Sequence, residues 1–321
     1  MSMMDKQIGL GTFPFSNVFS PMTQKDAEDV VKEFVTLGGH YIETAPSYPV
    51  NEVALSDIIK MFNRDDIYIG SKCVLGKDEN GQNYTSGKPE EIRKQCIREL
   101  KRLQVEYLDL LEAHITPTDV DPAITMEALN ELKKEGIVRY IGVSNATISD
   151  LKSYIKGGHF DFVQNRYSII YRSPSENIMS FCEANNIHMN PYQVIERGQL
   201  VDITDKAGEW REGDLRAKKA EYVGDAYVRV HQWVVARLAA IAVNAGLTME
   251  ELSIRWVLSK KQISIPVIGA TKTWQVKNNI MAGAKELSAE VVNDVDEAYF
   301  DFQNEIENLF GLSIEEFRGL V

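Results

Sequence analysis

Four ionisable side chains end or follow three consecutive apolar segments of the sequence. Glu43 ends the first segment and Tyr48 comes soon after it, Lys72 follows the second segment, and His114 follows the third. A tyrosine, with a pKa of about 10, is a poor acid at neutral pH unless a neighbouring cation stabilises its phenolate. Lys72 is suited to supply that cation, Glu43 to keep the lysine charged, and His114 to orient a substrate oxygen. The four residues predict a proton-donating site, provided that the fold brings them together.

The segments that precede these residues belong to an alternation of short apolar runs and amphipathic helical windows. This alternation indicates βα units around a parallel sheet. The expected strands are residues 8–11, 41–43, 67–71, 107–112, 138–143, 162–164, 187–189 and 263–268. Eight strands fit a closed (β/α)8 TIM barrel, in which the carboxyl ends of the strands meet at one mouth. The alternation alone leaves an open, doubly wound sheet as the alternative.

The length and composition of the chain agree with a large α/β domain. One barrel with insertions can fill 321 residues. Hydrophobic residues make up 44% and charged residues 26% of the sequence, which excludes disordered and fibrous classes. Two polar stretches, residues 76–88 and 202–222, are expected to be insertions at the top of the barrel. We expect a single barrel domain over residues 1–321, with an extra C-terminal helical segment over residues 288–321.

Charge and cysteine usage restrict the partners and the compartment. Acidic residues outnumber basic ones by 47 to 35, so the overall field repels nucleic acid and anionic lipid. The N-terminus lacks the apolar core of a signal peptide, and the most apolar stretch, residues 233–243, is too short to span a membrane. The three cysteines have no CxxC spacing and the five histidines are scattered. We therefore expect a cytoplasmic protein with no disulfide framework and no metal site.

Several ordered motifs of the chain match those of a known family. GHYIETAPSYPVNE at residues 39–52 is followed by Lys72, by YLDLLEAH at residues 107–114 and by GIVRYIGVSN. Gln164, PYQVIERGQL and IPVIGATKTWQVKNN come after these. In this order the motifs resemble those of the aldo-keto reductases, whose signature is GxxxxDTAxxYGxSE. The resemblance implies a TIM barrel that transfers hydride between a nicotinamide cofactor and a small carbonyl or alcohol substrate.

The resemblance also implies roles for individual residues. Tyr48 is the expected general acid, assisted by Lys72 and Glu43, and His114 is expected to orient the carbonyl. The implied cofactor residues are Thr12; Ser144, Asn145 and Gln164 at the carboxamide; Tyr192 on the nicotinamide ring; Arg197 and Gly198 along the phosphates; Thr271, Lys272 and Gln275 around the 2′-phosphate; and Asn279 at adenine. The GATKT turn precedes a helical pattern, whose free N–H groups and Lys272 would favour a phosphate. NADPH is therefore the expected cofactor.

Two positions depart from the family signature. Glu43 replaces the signature aspartate, and its extra methylene requires the carboxylate to fold back or to displace Lys72 by roughly an ångström. Pro49 replaces the glycine after Tyr48. Proline fixes φ at about −65° and removes a backbone donor. We expect these changes to affect the rate or the natural reaction, and not the fold.

Three readings of the function remain open from the sequence. The first is an NADPH-dependent reductase of an aldehyde or ketone, whose site can also oxidise an alcohol or sugar. The second is a nucleotide-binding regulatory barrel with little turnover, which the changes at Glu43 and Pro49 motivate. The third is an aldolase that uses Lys72 as a Schiff-base amine, although a carboxylate partner would keep that lysine charged. Phe13, Phe15 and Tyr84 are candidate pocket walls, and the substrate and the oligomeric state stay undetermined.

Overall fold

The computed structural model of the chain describes residues 3–49, 53–78, 80–201 and 210–319. The strands are β1 (Gly9–Gly11), β2 (Tyr41–Glu43), β3 (Tyr68–Cys73), β4 (Leu75–Lys77), β5 (Asn83–Thr85), β6 (Leu108–Ala113), β7 (Val138–Ser144), β8 (Phe162–Gln164), β9 (His188–Met189) and β10 (Val267–Gly269). The α-helices are α1 (Gln24–Thr36), α2 (Leu55–Ile59), α3 (Pro89–Leu103), α4 (Pro122–Lys134), α5 (Ile148–Tyr154), α6 (Ser173–Asn185), α7 (Asp225–Trp233), α8 (Ala239–Asn244), α9 (Met249–Leu258), α10 (Thr273–Gly283), α11 (Ala289–Phe310) and α12 (Ile314–Phe317). Asn51 and Glu52 of the signature motif, and residues 202–209 of the second polar stretch, lie outside the described residues.

Eight strands form a parallel sheet that curls into a barrel. Their order is β10-β1-β2-β3-β6-β7-β8-β9. The two ends of this order meet through backbone hydrogen bonds, in which the N–H of Met189 donates to the carbonyl of Gln262 and that of Val267 donates to the carbonyl of Pro191. The architecture is therefore an α/β (β/α)8 barrel, and the open doubly wound sheet is excluded.

Two strands differ from those expected by more than one residue at one end. The sequence indicated a strand over residues 263–268, whereas β10 begins at Val267 and Ile263 forms an isolated bridge with Met189. Pro266 lies between them and has no N–H to donate to the ladder. In contrast, β3 continues past residue 71 to Cys73. Lys72 consequently lies within the strand and not after it.

Side-chain caps explain where several outer helices begin. Thr23, Thr147 and Thr248 each accept from the N–H three residues ahead, and the acidic side chain there accepts from the threonine N–H in return. Such capping boxes satisfy two N–H groups that lack partners within the helix. Pro89 and Pro122 occupy the first turns of α3 and α4, where a missing N–H costs nothing. The helix predicted to begin at Pro89 is confirmed.

Large buried side chains fill the interior of the barrel near the starts of the strands. Tyr41 and Phe162 are the first residues of β2 and β8, and they pack with the buried Met3. A Cβ at Gly70 would lie 2.1 Å from the Tyr41 hydroxyl oxygen, so the ring fits there only because this position is glycine. This packing closes the barrel near the strand starts and leaves the carboxyl ends of the strands for a site.

Additional elements surround the barrel. β4 and β5 form an antiparallel hairpin between β3 and α3, in the first polar stretch of the sequence. After the last barrel unit, α11 packs on α8, and Asp296 of α11 accepts hydrogen bonds from the Arg172 guanidinium and the Trp256 indole. Among the described residues, no helix on its own has the length and apolarity needed to cross a membrane. One pair of helices, bent by 81°, meets these criteria together by length and composition only.

Candidate active site

A buried lysine lies between two carboxylates on three adjacent strands. Lys72 Nζ is 2.7 Å from Glu43 Oε1 and 3.0 Å from Glu112 Oε2. All three side chains are almost completely buried, and Asn190 Nδ2 donates to Glu112 Oε1 at 3.1 Å. Burial disfavours the ammonium, but the two carboxylates outweigh this effect and raise the pKa of Lys72. The lysine is therefore charged at neutral pH, as Glu43 led us to expect.

The phenol of Tyr48 has a different partner from the one expected. Its hydroxyl donates to Glu43 Oε1 at 2.8 Å, and among the described residues it has no hydrogen bond with Lys72. The expected neighbouring cation therefore reaches the phenol through Glu43. The longer side chain of Glu43 places one oxygen where it contacts both the phenol and the ammonium. Burial, followed by the negative charge of Glu43, raises the pKa of Tyr48 well above its usual value.

The loop that carries Tyr48 is held from two sides. The Phe13 ring packs edge-on against the Tyr48 ring at 5.1 Å between centroids. Lys77, in the hairpin, donates from Nζ to the carbonyl oxygen of Tyr48 at 2.7 Å. Pro49 is exposed, so a backbone N–H at this position would have faced water. The proline therefore removes no buried hydrogen bond from the site.

His114 is a neutral imidazole beside the phenol. Its ring centroid is 6.3 Å from that of Tyr48, and Nδ1 is 3.2 Å from Ser47 Oγ. Burial, with a smaller effect of the Lys72 charge, lowers the pKa of His114 to about 3. When the Ser47 hydroxyl donates to Nδ1, the hydrogen resides on Nε2 and is available to a substrate oxygen. The side chain can then orient a carbonyl without transferring a proton.

The depressed pKa of His114 predicts a loss of stability on acidification. An unfolded histidine has a pKa of about 6.5, so between this value and the folded value of about 3 the unfolded chain binds more protons. The contribution of His114 is therefore complete above the unfolded pKa and is lost as the pH falls. We expect the free energy of unfolding of wild type, measured in urea, to fall between pH 7.5 and pH 5.5. In His114→Gln this fall should be smaller by about 1.4 kcal/mol.

The exposed His159 provides the control for this measurement. His159→Gln should retain the wild-type difference between the two pH values. An identical pH dependence in His114→Gln and wild type would contradict the assignment of a neutral, buried imidazole.

A cavity of about 470 Å³ begins at Tyr48 and His114 and extends to α10. Most of the expected cofactor residues line it, namely Ser144, Asn145, Gln164, Tyr192, Arg197, Gly198, Thr271, Gln275 and Asn279. Glu43 also lines the cavity, whereas Thr12, Lys72 and Lys272 are not among the described residues at its wall. The structure thus brings most of the predicted catalytic and cofactor residues to one space.

Two buried side-chain amide atoms in this wall have no hydrogen-bond partner. They are Gln164 Nε2, at the end of β8, and Asn279 Oδ1, on α10. Near the first of them, Tyr192 donates to Asn145 Oδ1 at 2.7 Å, and Asn145 Nδ2 donates to the carbonyl of His114 at 2.9 Å. Buried polar groups without partners are rare in folded proteins. These two atoms are suited to receive polar groups of a bound molecule.

The loop after β9 has an unusual backbone. Glu196, Arg197 and Gly198 have φ angles of 48°, 52° and 98°, in the left-handed region. The buried Glu196 carboxylate accepts from Arg166 and, at 3.1 Å, from Arg318 at the end of α12. Burial opposes ionisation, but the two arginines outweigh it and lower the pKa of Glu196 to about 2. An ionised carboxylate thus holds this loop against the cavity.

The GATKT turn differs from the expected phosphate site. The N–H groups of Thr271 and Lys272 donate to Gln275 Oε1 at 2.8 and 3.1 Å. The capping side chain of Gln275 therefore occupies these two N–H groups, whereas the free N–H groups expected in the first turn of α10 stay a prediction. Lys272 is half-exposed, and its Nζ lies 3.6 Å from Asp26 Oδ1 on α1. The one cation expected at a 2′-phosphate is thus partly balanced by a carboxylate.

The sequence as a whole matches one family. The model of the Aldo/keto reductase family matches residues 7–299. The chain belongs to the aldo/keto reductase family. It is therefore an NAD(P)H-dependent oxidoreductase, and its barrel is that of an aldo/keto reductase.

Individual relatives cover nearly the whole chain. A "NADH-specific methylglyoxal reductase" of Escherichia coli is 27% identical over 299 residues, covering 86% of this chain and 89% of the relative. A "Probable aldo-keto reductase 1" of Glycine max is 27% identical over 298 residues, covering 91% and 85%. A glycerol dehydrogenase structure from Gluconobacter oxydans has a TM-score of 0.79 at 20% identity, covering 93% of this chain and 95% of that one. This last likeness concerns the fold.

The cavity of this aldo/keto reductase fits a nicotinamide cofactor. The unpartnered Gln164 Nε2 and Asn279 Oδ1 offer a donor and an acceptor, and Tyr192 presents a ring at the wall between Ser144 and Arg197. No group of His, Cys, Asp and Glu that could hold a metal ion is present among residues 3–49, 53–78, 80–201 and 210–319. The wall of the cavity carries amides, hydroxyls, charged side chains and several aromatic rings.

Sequence reasoning missed two side chains of the lysine cluster. Glu112 was recognised at a strand end but received no role, although it precedes His114 by two residues and strand alternation places both on one face. This spacing was the available signal. Asn190 follows β9 and contacts Glu112 only because β9 and β6 lie across the barrel from each other. No local pattern indicates that contact.

Proposed function

We propose that the protein reduces an aldehyde or ketone to the alcohol, with Tyr48 as the general acid. The observation that carries this proposal is that the Tyr48 hydroxyl and His114 line the same cavity as the expected nicotinamide-binding residues. The bound cofactor supplies hydride to the carbonyl carbon. The carbonyl oxygen takes the Tyr48 proton, which leaves a phenolate, and the alcohol forms. The phenolate regains a proton before the next turnover.

Each neighbouring side chain has a proposed part in this step. The neutral His114 donates from Nε2 to the carbonyl oxygen and orients it. Glu43 positions the phenol, and Lys72 stabilises through Glu43 the negative charge that develops on Tyr48. Gln164, with Ser144 and Asn145, is proposed to hold the carboxamide. The buried, charged Lys72 does not line the cavity, which argues against the Schiff-base alternative.

The remaining cofactor residues are proposed from their place in the wall of the cavity. Tyr192 would hold the nicotinamide ring, Arg197 and Gly198 the phosphates, and Asn279 the adenine. Thr271, Lys272 and Gln275 are proposed around the 2′-phosphate. Thr12, whose N–H donates to the Glu43 carbonyl, supports the strand end beneath the cofactor.

We propose NADPH as the preferred cofactor on the basis of Lys272, and the half-exposed pair with Asp26 offers a test. Lys272→Ala should raise KM for NADPH about tenfold while leaving KM for NADH within about twofold, because only NADPH carries the 2′-phosphate. Asp26→Asn should lower KM for NADPH and leave KM for NADH within about twofold, since it releases the lysine. The measurement is initial rates with each cofactor at saturating carbonyl.

Equal KM values for NADPH and NADH in wild type, unchanged in both variants, would contradict the preference for NADPH. The NADH-specific relative from Escherichia coli would then be the closer guide to the cofactor of this chain.

The methylglyoxal reductase relative suggests a first class of substrate. We propose to follow the loss of reduced-nicotinamide absorbance with methylglyoxal and related 2-oxoaldehydes, and then with simple aldehydes, ketones and sugars. Turnover with any of them supports the reductase. Binding of reduced nucleotide without turnover on the whole panel would contradict it.

A nucleotide-binding regulatory barrel with little turnover is the second candidate. The observation that favours it is the phenol of Tyr48, which is bonded to Glu43 and has a raised pKa, and is therefore a weaker acid. The same absorbance assay separates the two candidates. An alcohol or sugar dehydrogenase would be recognised by turnover with oxidised nucleotide on the corresponding alcohols.

The larger organisation expected from the sequence is part of this proposal. The hairpin and the 202–222 stretch are proposed as insertions at the barrel top, and α11 and α12 as an added C-terminal helical segment of a single domain over residues 1–321. The three cysteines are free and buried, which supports a reducing, cytoplasmic compartment. Nucleic acid and membrane are not proposed as partners.

A further inference from the structure

Glu112 is a buried carboxylate that the proposed reaction does not use. It is opposite Lys72 in the register of β3 and β6, and its side chain is fully buried. Glu112 is not among the described residues that line the cavity. A Cβ at Gly142, its neighbour on β7, would lie 3.0 Å from Glu112 Cγ, so the glycine leaves room for this side chain. The barrel interior is built to hold a carboxylate here.

The cluster contains more negative than positive charge. Lys72 is one ammonium for two carboxylates, and Asn190 adds only a neutral donor to Glu112. In a buried site such charges interact much more strongly than in water. The phenol of Tyr48, which shares Glu43 Oε1 with the lysine, therefore borders a cluster with an excess carboxylate.

The charged and titratable groups that face Tyr48 come from several elements. They are Glu43 and Tyr41 of β2, Lys72 of β3, Lys77 of the hairpin, Glu112 of β6 and His114 after β6. Lys77 contacts the backbone carbonyl of Tyr48, and His114 is neutral at neutral pH. Lys72 is thus the positive charge that shares a hydrogen-bond partner, Glu43 Oε1, with the phenol, and Glu112 competes for it.

We propose that Glu112 is a positioning residue that holds the Lys72 ammonium away from Tyr48 and thereby keeps the phenol protonated. Carbonyl reduction needs the phenol as an acid, whereas alcohol oxidation needs the phenolate as a base. A carboxylate that opposes phenolate formation therefore keeps the acid form available for reduction up to a higher pH and moves the onset of oxidation to a higher pH. Burial and the neighbouring carboxylates do raise the pKa of Tyr48.

The inference rests on the proposed role of Tyr48, but its first test does not require turnover. Tyrosine labelled with ¹³C at Cζ reports phenol ionisation by NMR, and the Tyr48 resonance is assigned by its loss in Tyr48→Phe. In wild type, we expect this resonance to keep its phenol shift after the exposed tyrosines have titrated. In Glu112→Gln, we expect its midpoint to fall by about one pH unit or more, because Lys72 loses one of its two partners.

Glu99→Gln is the matched control. Glu99 is also buried, but it accepts from Ser71, whose side chain alternates to the other face of β3 from that of Lys72. This variant should leave the Tyr48 midpoint unchanged. Thermal unfolding of each variant establishes that it folds, and the glutamine amide preserves the shape of Glu112.

A kinetic measurement follows for any carbonyl and alcohol pair that the enzyme converts. In Glu112→Gln, the alkaline fall of kcat/KM for reduction and the rise of kcat/KM for oxidation should both move to lower pH by about one unit, in step with the lower midpoint. A folded Glu112→Gln protein with an unchanged Tyr48 midpoint would overturn the proposal, and would indicate that Glu112 is protonated in wild type. An equal shift in Glu99→Gln would also overturn it. Absence of turnover with a shifted midpoint would instead count against the proposed function alone.

Discussion

Replacing Tyr48 by phenylalanine is expected to lower kcat/KM for carbonyl reduction by about three orders of magnitude. A positioned general acid contributes about 10²–10⁴-fold. The neutral His114, which lines the same cavity, is proposed to orient the carbonyl oxygen without transferring a proton. The dissociation constant of reduced nucleotide should change less than about twofold, since only one oxygen atom is removed. Nucleotide binding is measured by quenching of protein fluorescence, and turnover by loss of reduced-nicotinamide absorbance.

Tyr84→Phe is the matched control, because the Tyr84 hydroxyl contacts Glu91 at 3.2 Å and Tyr84 does not line the cavity. It should retain wild-type kcat/KM. Comparable turnover in Tyr48→Phe and wild type would rule out Tyr48 as the acid. A parallel loss of nucleotide binding would mean that the substitution has disturbed the whole cavity.

Replacing Lys72 by methionine is expected to have the largest effect on stability. The substitution leaves Glu43 and Glu112 facing each other in the barrel without a cation, and breaking a buried ion pair in this way costs about 3–5 kcal/mol. The free energy of unfolding in urea measures this loss. The deficit should shrink as the pH is lowered toward about 5, because the two carboxylates, lacking a cation, bind protons more readily in the folded state.

Two further variants check this explanation. Lys72→Met combined with Glu112→Gln should recover part of the stability, since one buried charge is removed. Lys133→Met breaks a pair with Asp161 in which the lysine is partly exposed, and should cost no more than about 1 kcal/mol. A loss at Lys72 as small as that at Lys133, or a deficit independent of pH, would show that the carboxylates are not ionised around the lysine.

Much of the candidate site could be predicted from local patterns. Glu43, Lys72 and His114 lie at or near the carboxyl ends of strands. In a parallel barrel these ends meet at one mouth, so their convergence with Tyr48 follows from alternation. The motifs after β7, β8 and β10 likewise placed the expected cofactor residues, most of which line one cavity. These predictions succeeded because they depend on order along the chain and on strand direction.

Other features could not be predicted because they depend on contacts between distant segments. Gln275 caps the N–H groups of Thr271 and Lys272, and Asp26 on α1 meets Lys272 across α1 and α10. The motif alone suggested a free phosphate site with an unbalanced lysine. The side chains that cap a turn or pair with a lysine can come from distant segments. The sequence pattern does not show which of them lie within hydrogen-bonding or ion-pair distance.

The sequence by itself determined the alternation of strands and helices, the order of the family motifs and the place of the four ionisable residues near strand ends, and it left an open sheet as the alternative to the barrel. Hydrophobic periodicity and strand-end position are properties of neighbouring residues, and they survive any detail of packing. The tertiary structure alone decided which oxygen contacts which proton. One extra methylene at Glu43 moves a carboxylate between Tyr48 and Lys72, and Glu112 reaches the same lysine from the adjacent strand. Hydrogen bonds are sensitive to a few tenths of an ångström, a scale that is set only when the whole barrel is packed.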